Sequence, residues 1–353
     1  MVLMISKPIY ATFAAGLYIA SFVIITLSCR GDHPTEIGVP PFTTPEFWDD
    51  TPAWSPDGRL IAYTYFARSI EEARDFGQEQ VWLYDAEADS NYRFIYPGFI
   101  PRWSPDATIL AFTFPAGGFG DIYFYYIEQD TVVRITYNGH QNYYDFAPDG
   151  NSLVMPPGVV PRLGTGLWLV DLEGNFHRNL IPEAAAQMPR WSWYSGNVLY
   201  VRFDSNYSYQ IAISDTLGNS LGRVHPSVWV QYTACWGPGD SVIAIVAINH
   251  PSINFIPSSS IWLKNTNSGD FDFFSMGQFA DWSSDGEWLA IVEEGLDPYR
   301  WTIWIMRPDG SDRREISQWY PDDDTTTVAR APLNFPRCAL THEQKRRLGF
   351  RIQ

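Results

Sequence analysis

Basic residues are scarce in this chain of 353: Lys and Arg number 24 against 40 Asp and Glu, for a net charge of −16. A nucleic-acid backbone is recognised through basic surface that displaces its counterions, so nucleic acid is excluded as a partner. The acidic surplus suits a dispersed body, or one that meets cationic partners or metal ions. Cysteine is nearly absent, at 3 residues, and no two stand at zinc-site spacing. Neither a phosphate-cradling glycine loop nor an H-E-x-x-H helix signature occurs, which removes the commonest nucleotide and zinc-hydrolase readings.

The first residues differ from the rest. Lys7 precedes Ile9–Leu27, a run without charge, which ends at Ser28 and Cys29. A positive start, an apolar core and a small residue before the break describe an export signal. Cys29 there resembles the lipobox of bacterial lipoproteins, which implies lipidation of its thiol and a bacterial cell-envelope location, anchored to a membrane through that lipid. An uncleaved anchor is the competing reading, since a run of this length can just span a bilayer; plain secretion is the third. Residues 1–28 are thus expected as a signal peptide and 29–49, with Pro34, Pro40, Pro41 and Pro45, as an extended tether. Cys235 and Cys338 can pair in an oxidising compartment, but unpaired thiols are the expected state.

What the chain has in abundance is aromatic residues, 16% of the total, and they recur. The copies read Trp54-Ser-Pro-Asp-Gly58, Trp103-Ser-Pro-Asp-Ala107, Phe146-Ala-Pro-Asp-Gly150, Trp191-Ser-Trp-Tyr-Ser-Gly196, Trp236-Gly-Pro-Gly-Asp240 and Trp282-Ser-Ser-Asp-Gly286, at steps of 43 to 49 residues. A near-constant period in that range is what stacked four-stranded sheets require. Behind each turn come two apolar runs: Leu60–Tyr65 then Val81–Tyr84, Ile109–Phe114 then Ile122–Tyr125, Val198–Phe203 then Ile211–Ser214, Val242–Val246 then Ile261–Lys264, and Trp288–Val292 then Ile303–Met306. A short fourth strand such as Val133–Thr136 completes each unit. The expected fold class is all-β, a six-bladed β-propeller of four-stranded antiparallel blades over 50–316, with 317–353 as a C-terminal tail. In that tail Asp322–Asp324 reads as a solvated loop, and the basic His342–Arg351 as a short helix or a frayed end. The repeated Trp is expected to fill the gaps between blades. Asp57, Asp106, Asp149 and Asp285 are expected to cap turn amides rather than to bind metal.

The residue before each motif aromatic is Ala53, Arg102, Asp145, Arg190, Cys235 or Asp281 in turn. Arg102, Asp145, Arg190 and Asp281 therefore form either a charged ring lining the channel, able to hold a ligand, or structural ion pairs between blades. Alternate connections of a meander lie at opposite ends, so the variable loops after each second strand share one face with the inter-blade links. His140, His225 and His250 are expected on that face, together with Arg68, Arg74, Arg162, Tyr299 and Arg300. Gly218-Asn-Ser220-Leu-Gly222 matches G-x-S-x-G, but no strand-to-helix elbow surrounds it.

The Trp-Ser-Pro-Asp-Gly copies resemble the TolB-type β-propeller repeat family over about 50–316. The resemblance implies a propeller and an envelope setting; the family includes scaffolds, peptidase-associated propellers and sugar-acid lyases that hold a metal through channel histidines. The α/β domain that precedes the TolB propeller has no counterpart in the short tether. The expected function is a non-catalytic, envelope-anchored propeller, monomeric and without cofactor, that binds an envelope protein or glycan through its loop face and channel mouth. The alternative is a metal-dependent polysaccharide lyase or hydrolase on the same scaffold.

Overall fold

The computed structural model describes residues 46–317 apart from 69–78, 117–118, 138, 140–142, 159–162, 184, 204–208, 225–229, 249–258 and 295–300. Their strands form six antiparallel meanders of four. Blade 1 comprises β1 (Glu46–Trp54), β2 (Leu60–Arg68), β3 (Glu79–Asp85) and β4 (Ser90–Pro97). Blade 2 holds β5 (Phe99–Trp103), β6 (Ile109–Ala116), β7 (Phe119–Tyr126) and β8 (Thr131–Arg134), and blade 3 β9 (Asp145–Phe146), β10 (Ser152–Met155), β11 (Leu167–Asp171) and β12 (Phe176–Ile181). Blade 4 is β13 (Gln187–Trp191), β14 (Val198–Phe203), β15 (Tyr209–Ser214) and β16 (Ser220–Arg223). Blade 5 is β17 (Val230–Trp236), β18 (Val242–Ile248), β19 (Ser259–Asn265) and β20 (Phe271–Met276). Blade 6 is β21 (Gln278–Trp282), β22 (Leu289–Glu294), β23 (Trp301–Met306) and β24 (Arg314–Glu315). The protein is a six-bladed β-propeller.

The two-residue side-chain period of a strand explains the radial packing. On blade 1, Leu60, Ala62, Val81 and Leu83 pack against Trp103, Leu110 and Phe112 of blade 2. The intervening Ile61, Tyr63 and Tyr65 pack the other way, against Ala290, Val292 and Ile303 of blade 6. Each of the six inter-blade gaps holds one such apolar cluster. Burying one Leu or Ile in such a cluster stabilises by about 1.5–3 kcal/mol, so both faces of each sheet contribute. The motif aromatics sit where expected, in the gaps: Trp54, Trp103, Phe146, Trp191 and Trp282 are all buried there.

The repeated turn is held by its own side chains. Ser55 Oγ accepts the Leu60 N–H at 2.9 Å and donates to Asp57 Oδ1 at 2.5 Å, and Asp57 also accepts the Arg59 N–H at 3.1 Å. The same bonds recur at Ser104/Asp106 and Ser283/Asp285. Asp149 caps Asn151 N–H at 2.9 Å. The last turn residue takes a left-handed backbone, φ 73° at Gly58, 69° at Gly150 and 72° at Gly286, a region open to glycine at no steric cost. Blade 2 puts Ala107 there at φ 58°.

Several strand ends differ from the sequence reading. β2, β6 and β18 run on to Arg68, Ala116 and Ile248, because pairing with the third strand continues at Phe66↔Glu79, Ala116↔Phe119 and Ile248↔Ser259. β8 ends at Arg134 rather than Thr136; there the Thr136 hydroxyl replaces a backbone partner and accepts the Ile122 N–H at 2.9 Å. Among the described residues, blades 1 and 6 each take their strands from one stretch of the sequence, and no strand is exchanged between them. They meet instead through a parallel bridge, Trp48↔Trp301, from the early part of β1 to β23.

Candidate functional site

The first strand of each blade lines the central channel, which brings Arg102, Asp145, Arg190 and Asp281 together from blades 2, 3, 4 and 6 around one cavity of about 100 Å³. Both sequence readings of the four charges have a counterpart: some are paired across blades, and all four line the cavity. Arg190 Nη2 donates to Asp281 Oδ1, passing over blade 5. The second Asp281 oxygen accepts the Trp54 N–H of blade 1 at 2.8 Å. Asp145 is spent on backbone alone, accepting Phe146 N–H at 3.0 Å and, across to blade 4, Trp191 N–H at 2.7 Å.

Arg102 is the odd member. Its one hydrogen bond among the described residues runs from Nη1 to its neighbour's carbonyl, Pro101 O, at 2.8 Å. Its buried Nε has no hydrogen-bond partner among the described residues. Burial, then the like charge of Arg190, pulls the guanidinium down to about 10, against the opposing pull of Asp145 and Asp281. Burial also pushes the Asp145 carboxyl up, against Arg190 and Arg102. For Arg190, burial is outweighed by Asp281 and Asp145, which raise it. Deeper in the channel, burial pushes Asp50 up to about 7 in spite of hydrogen bonds from Thr51 and Thr64.

The cavity opens among the turns joining first and second strands, and its lining includes Trp193, Tyr194, Pro238 and Ser283. This is the end opposite the one where the sequence reading placed recognition. Blade 4 departs from its sisters here. Asp240 of blade 5 accepts Ser192 Oγ at 2.7 and 2.6 Å and Ser195 N–H at 3.1 Å, and Ser192 Oγ accepts Tyr194 N–H at 3.0 Å. The turn so fastened leaves Trp193 42% and Tyr194 71% exposed at the cavity rim. Sequence reasoning missed this pair, although the signal was present: only this copy replaces Pro-Asp by two large aromatics.

Other candidates fall elsewhere. His140, His225, His250, Arg74, Arg162, Tyr299 and Arg300 lie outside the described residues, as do Cys29, Cys338, Asp322–Asp324 and the basic tail, and of Arg68 only the backbone is described. Cys235 is a buried free thiol, pushed up to about 12 by burial. Ser220 sits on β16, an exposed outer strand, so the G-x-S-x-G match is not a nucleophile elbow. Among the described residues no three His, Cys, Asp or Glu are grouped to hold a metal.

No family model matches the sequence, and no curated protein matches it. Solved structures do match in fold. The β-propeller domain of the Trilobed protease from Pyrococcus furiosus, described as having an open velcro topology, is 12% identical at TM-score 0.52 over 78% of this chain and 99% of that one. The tricorn protease is 18% identical at TM-score 0.53, covering 77% of this chain and 27% of its own. TolB from Acinetobacter baumannii is 19% identical at TM-score 0.36 over 75% of this chain. The chain spans about half of that TolB, 53%, and about a quarter of the tricorn protease. With identities this low the likeness is one of fold alone, and it rests on the Trilobed protease propeller and the tricorn protease.

Proposed function

We propose that this propeller is a non-catalytic binding scaffold of a bacterial cell envelope, tethered to a membrane through a lipidated Cys29, that takes a protein or glycan partner at the channel mouth between the Trp-Ser turns. The observation that carries the reading is the pair Trp193 and Tyr194, exposed beside a charged cavity on a turn already fixed by Asp240. Large aromatics held in place before binding give contact area at low entropic cost, and they are the residue types that dominate binding energy. The acidic body, at −16, stays soluble and open to partners.

The test is a photo-crosslinking residue at position 194 in native membranes, with one at exposed Leu221 on the far blade edge as the control. A discrete adduct at 194, lost in Trp193→Ala and absent at 221, is expected. Equal labelling at both positions sinks the reading. Anchoring is tested separately: Cys29→Ser should shift the protein from the membrane to the soluble fraction, and globomycin should leave the unprocessed form.

A further inference from the structure

Of the four ring charges, the two carboxylates have both oxygens engaged at the channel wall, and Arg190 is paired with one of them. Asp145 spends one oxygen on each of two backbone amides, and Asp281 divides its two between Trp54 N–H and Arg190. Going round the ring, Asp281 is flanked by the small Ala53 and Cys235, then come Arg102 and Arg190, and Asp145 stands opposite. The two arginines are thus placed alike with respect to both carboxylates. Only Arg190 makes a salt bridge; Arg102 has no carboxylate within ion-pair distance among the described residues. What remains unused at the cavity is donor capacity, since a guanidinium has five N–H groups and carboxylates have none. An anionic acceptor fits that donor capacity.

Resting on the channel mouth as the binding site, we propose that the cavity takes the free C-terminal carboxylate of a peptide, gripped by Arg102 with Arg190 behind it, while Trp193 and Tyr194 cover the preceding residue. A guanidinium fork matches a carboxylate in two parallel hydrogen bonds. A cavity of about 100 Å³ between inner strands has room for a slender chain end. With its pKa near 10, Arg102 stays charged at neutral pH even though its surroundings disfavour the charge, so an anion there relieves an existing cost. The net charge of −16 gives no long-range attraction for an anion, and recognition rests on contact at this one fork.

The test uses the purified full chain in detergent, titrated with acetyl-Phe-Gly-Gly as the free acid and as the C-terminal amide. Tryptophan fluorescence reports binding, because Trp54, Trp103, Trp191, Trp193, Trp236 and Trp282 line the cavity. The acid should bind at least ten-fold more tightly than the amide, and Arg102→Gln should remove that preference. Arg102→Lys, which keeps the charge without the fork, should retain part of it and serves if the Gln variant folds poorly. Equal affinity for acid and amide, an unchanged preference in Arg102→Gln, or no binding of the acid at all overturns the proposal. Tighter binding of glucuronate than of the peptide acid overturns it in favour of a sugar acid. These failures are separable from failure of the binding-site reading, which loses the adduct at position 194 whatever the ligand's end group.

Discussion

Neutralising Asp281 tests whether the channel charges act as one structural unit. Asp281→Asn keeps the side chain's size and an oxygen for the Trp54 N–H, held now at 2.8 Å, but removes the charge that faces Arg190. Both partners are largely buried, at 13% and 14% side-chain exposure, so screening by solvent is slight. Removing one member of a buried pair costs about 3–5 kcal/mol, because the other is left uncompensated. Asp145 still faces Arg190 and offsets part of that, which puts the expected loss near the lower end, about 3 kcal/mol. At about 2–4 °C per kcal/mol for a domain near this size, Tm should fall by roughly 6–12 °C. Arg190→Met with Asp281→Leu removes both charges together and should recover much of the loss, since a well-packed apolar pair often replaces a buried ion pair without penalty. Urea unfolding of wild type, Arg190→Met, Asp281→Leu and the Arg190→Met, Asp281→Leu double variant gives the coupling energy directly. If Asp281→Asn costs less than about 1 kcal/mol, or if the two changes simply add, the charges are independent and the account of the ring is wrong.

Other outcomes follow from single positions. Ala107, which like Asp240 puts a side chain at positive φ where Gly58, Gly150 and Gly286 have none, should gain about 0.5–1 kcal/mol on Ala107→Gly, read as a higher urea midpoint; a loss would show that the turn is not strained. Asp50 is raised from 3.8 to about 7, so between those values the folded state holds a proton that the unfolded state has lost. Its contribution is therefore present at low pH and lost as pH climbs, at up to about 1.4 kcal/mol per pH unit across that window. Asp50→Asn should flatten this slope relative to wild type and raise stability at pH 8, with Thr51, Thr64, Glu79, Arg102 and Tyr143 left around it; a parallel pair of pH curves would refute the assignment. Cys235, in a Cys29→Ser, Cys338→Ser background, should resist thiol reagents in the native state and react at once in urea, because burial holds it protonated. The alternative of a metal-dependent lyase is met by elemental analysis together with a polysaccharide-depolymerisation screen: bound divalent metal, with activity lost in His140→Ala or His250→Ala, would displace the scaffold reading.

The architecture was legible because it is written locally and repeated. Each Trp-Ser-Pro-Asp-Gly copy carries its own turn chemistry, as Ser55 and Asp57 show, and each strand's alternation assigns its two faces to two neighbours. The ring positions were legible for the same reason: one offset from the motif aromatic marks all of them. Which of the charges meet was not legible, because Arg190 and Asp281 lie 91 residues apart and come together only when the circle closes. Nor does spacing reveal that Asp145 turns its carboxylate to the amides of Phe146 and Trp191 instead of to an arginine. The cavity at the end where first and second strands join was not foreseen, because the sequence reading followed a general preference for long variable loops, most of which lie outside the described residues. A short turn lines that cavity, since Trp193 and Tyr194 replace the capping Pro-Asp and Asp240 from the next blade takes over the capping.

The placement of small residues in the ring follows from the same geometry. A guanidinium on blade 4 reaches a carboxylate on blade 6 only if the ring position on blade 5 leaves the way clear, and that position is Cys235, with Ala244 and Trp282 packed in its cluster. Ala53 leaves the corresponding way clear from Arg102 on blade 2 towards Asp281, yet that path carries no salt bridge, because the Trp54 amide and Arg190 already hold both oxygens. A ring built for stability alone would gain by replacing Arg102 with an apolar residue, since an unpaired buried charge costs more than it returns. Arg102→Met should accordingly leave the stability read from urea unfolding unchanged or raise it, whereas Arg190→Met should lower it by several kcal/mol. An equal loss in both variants would mean that Arg102 is held by the fold as firmly as Arg190, and that no ligand is needed to account for its place at the cavity.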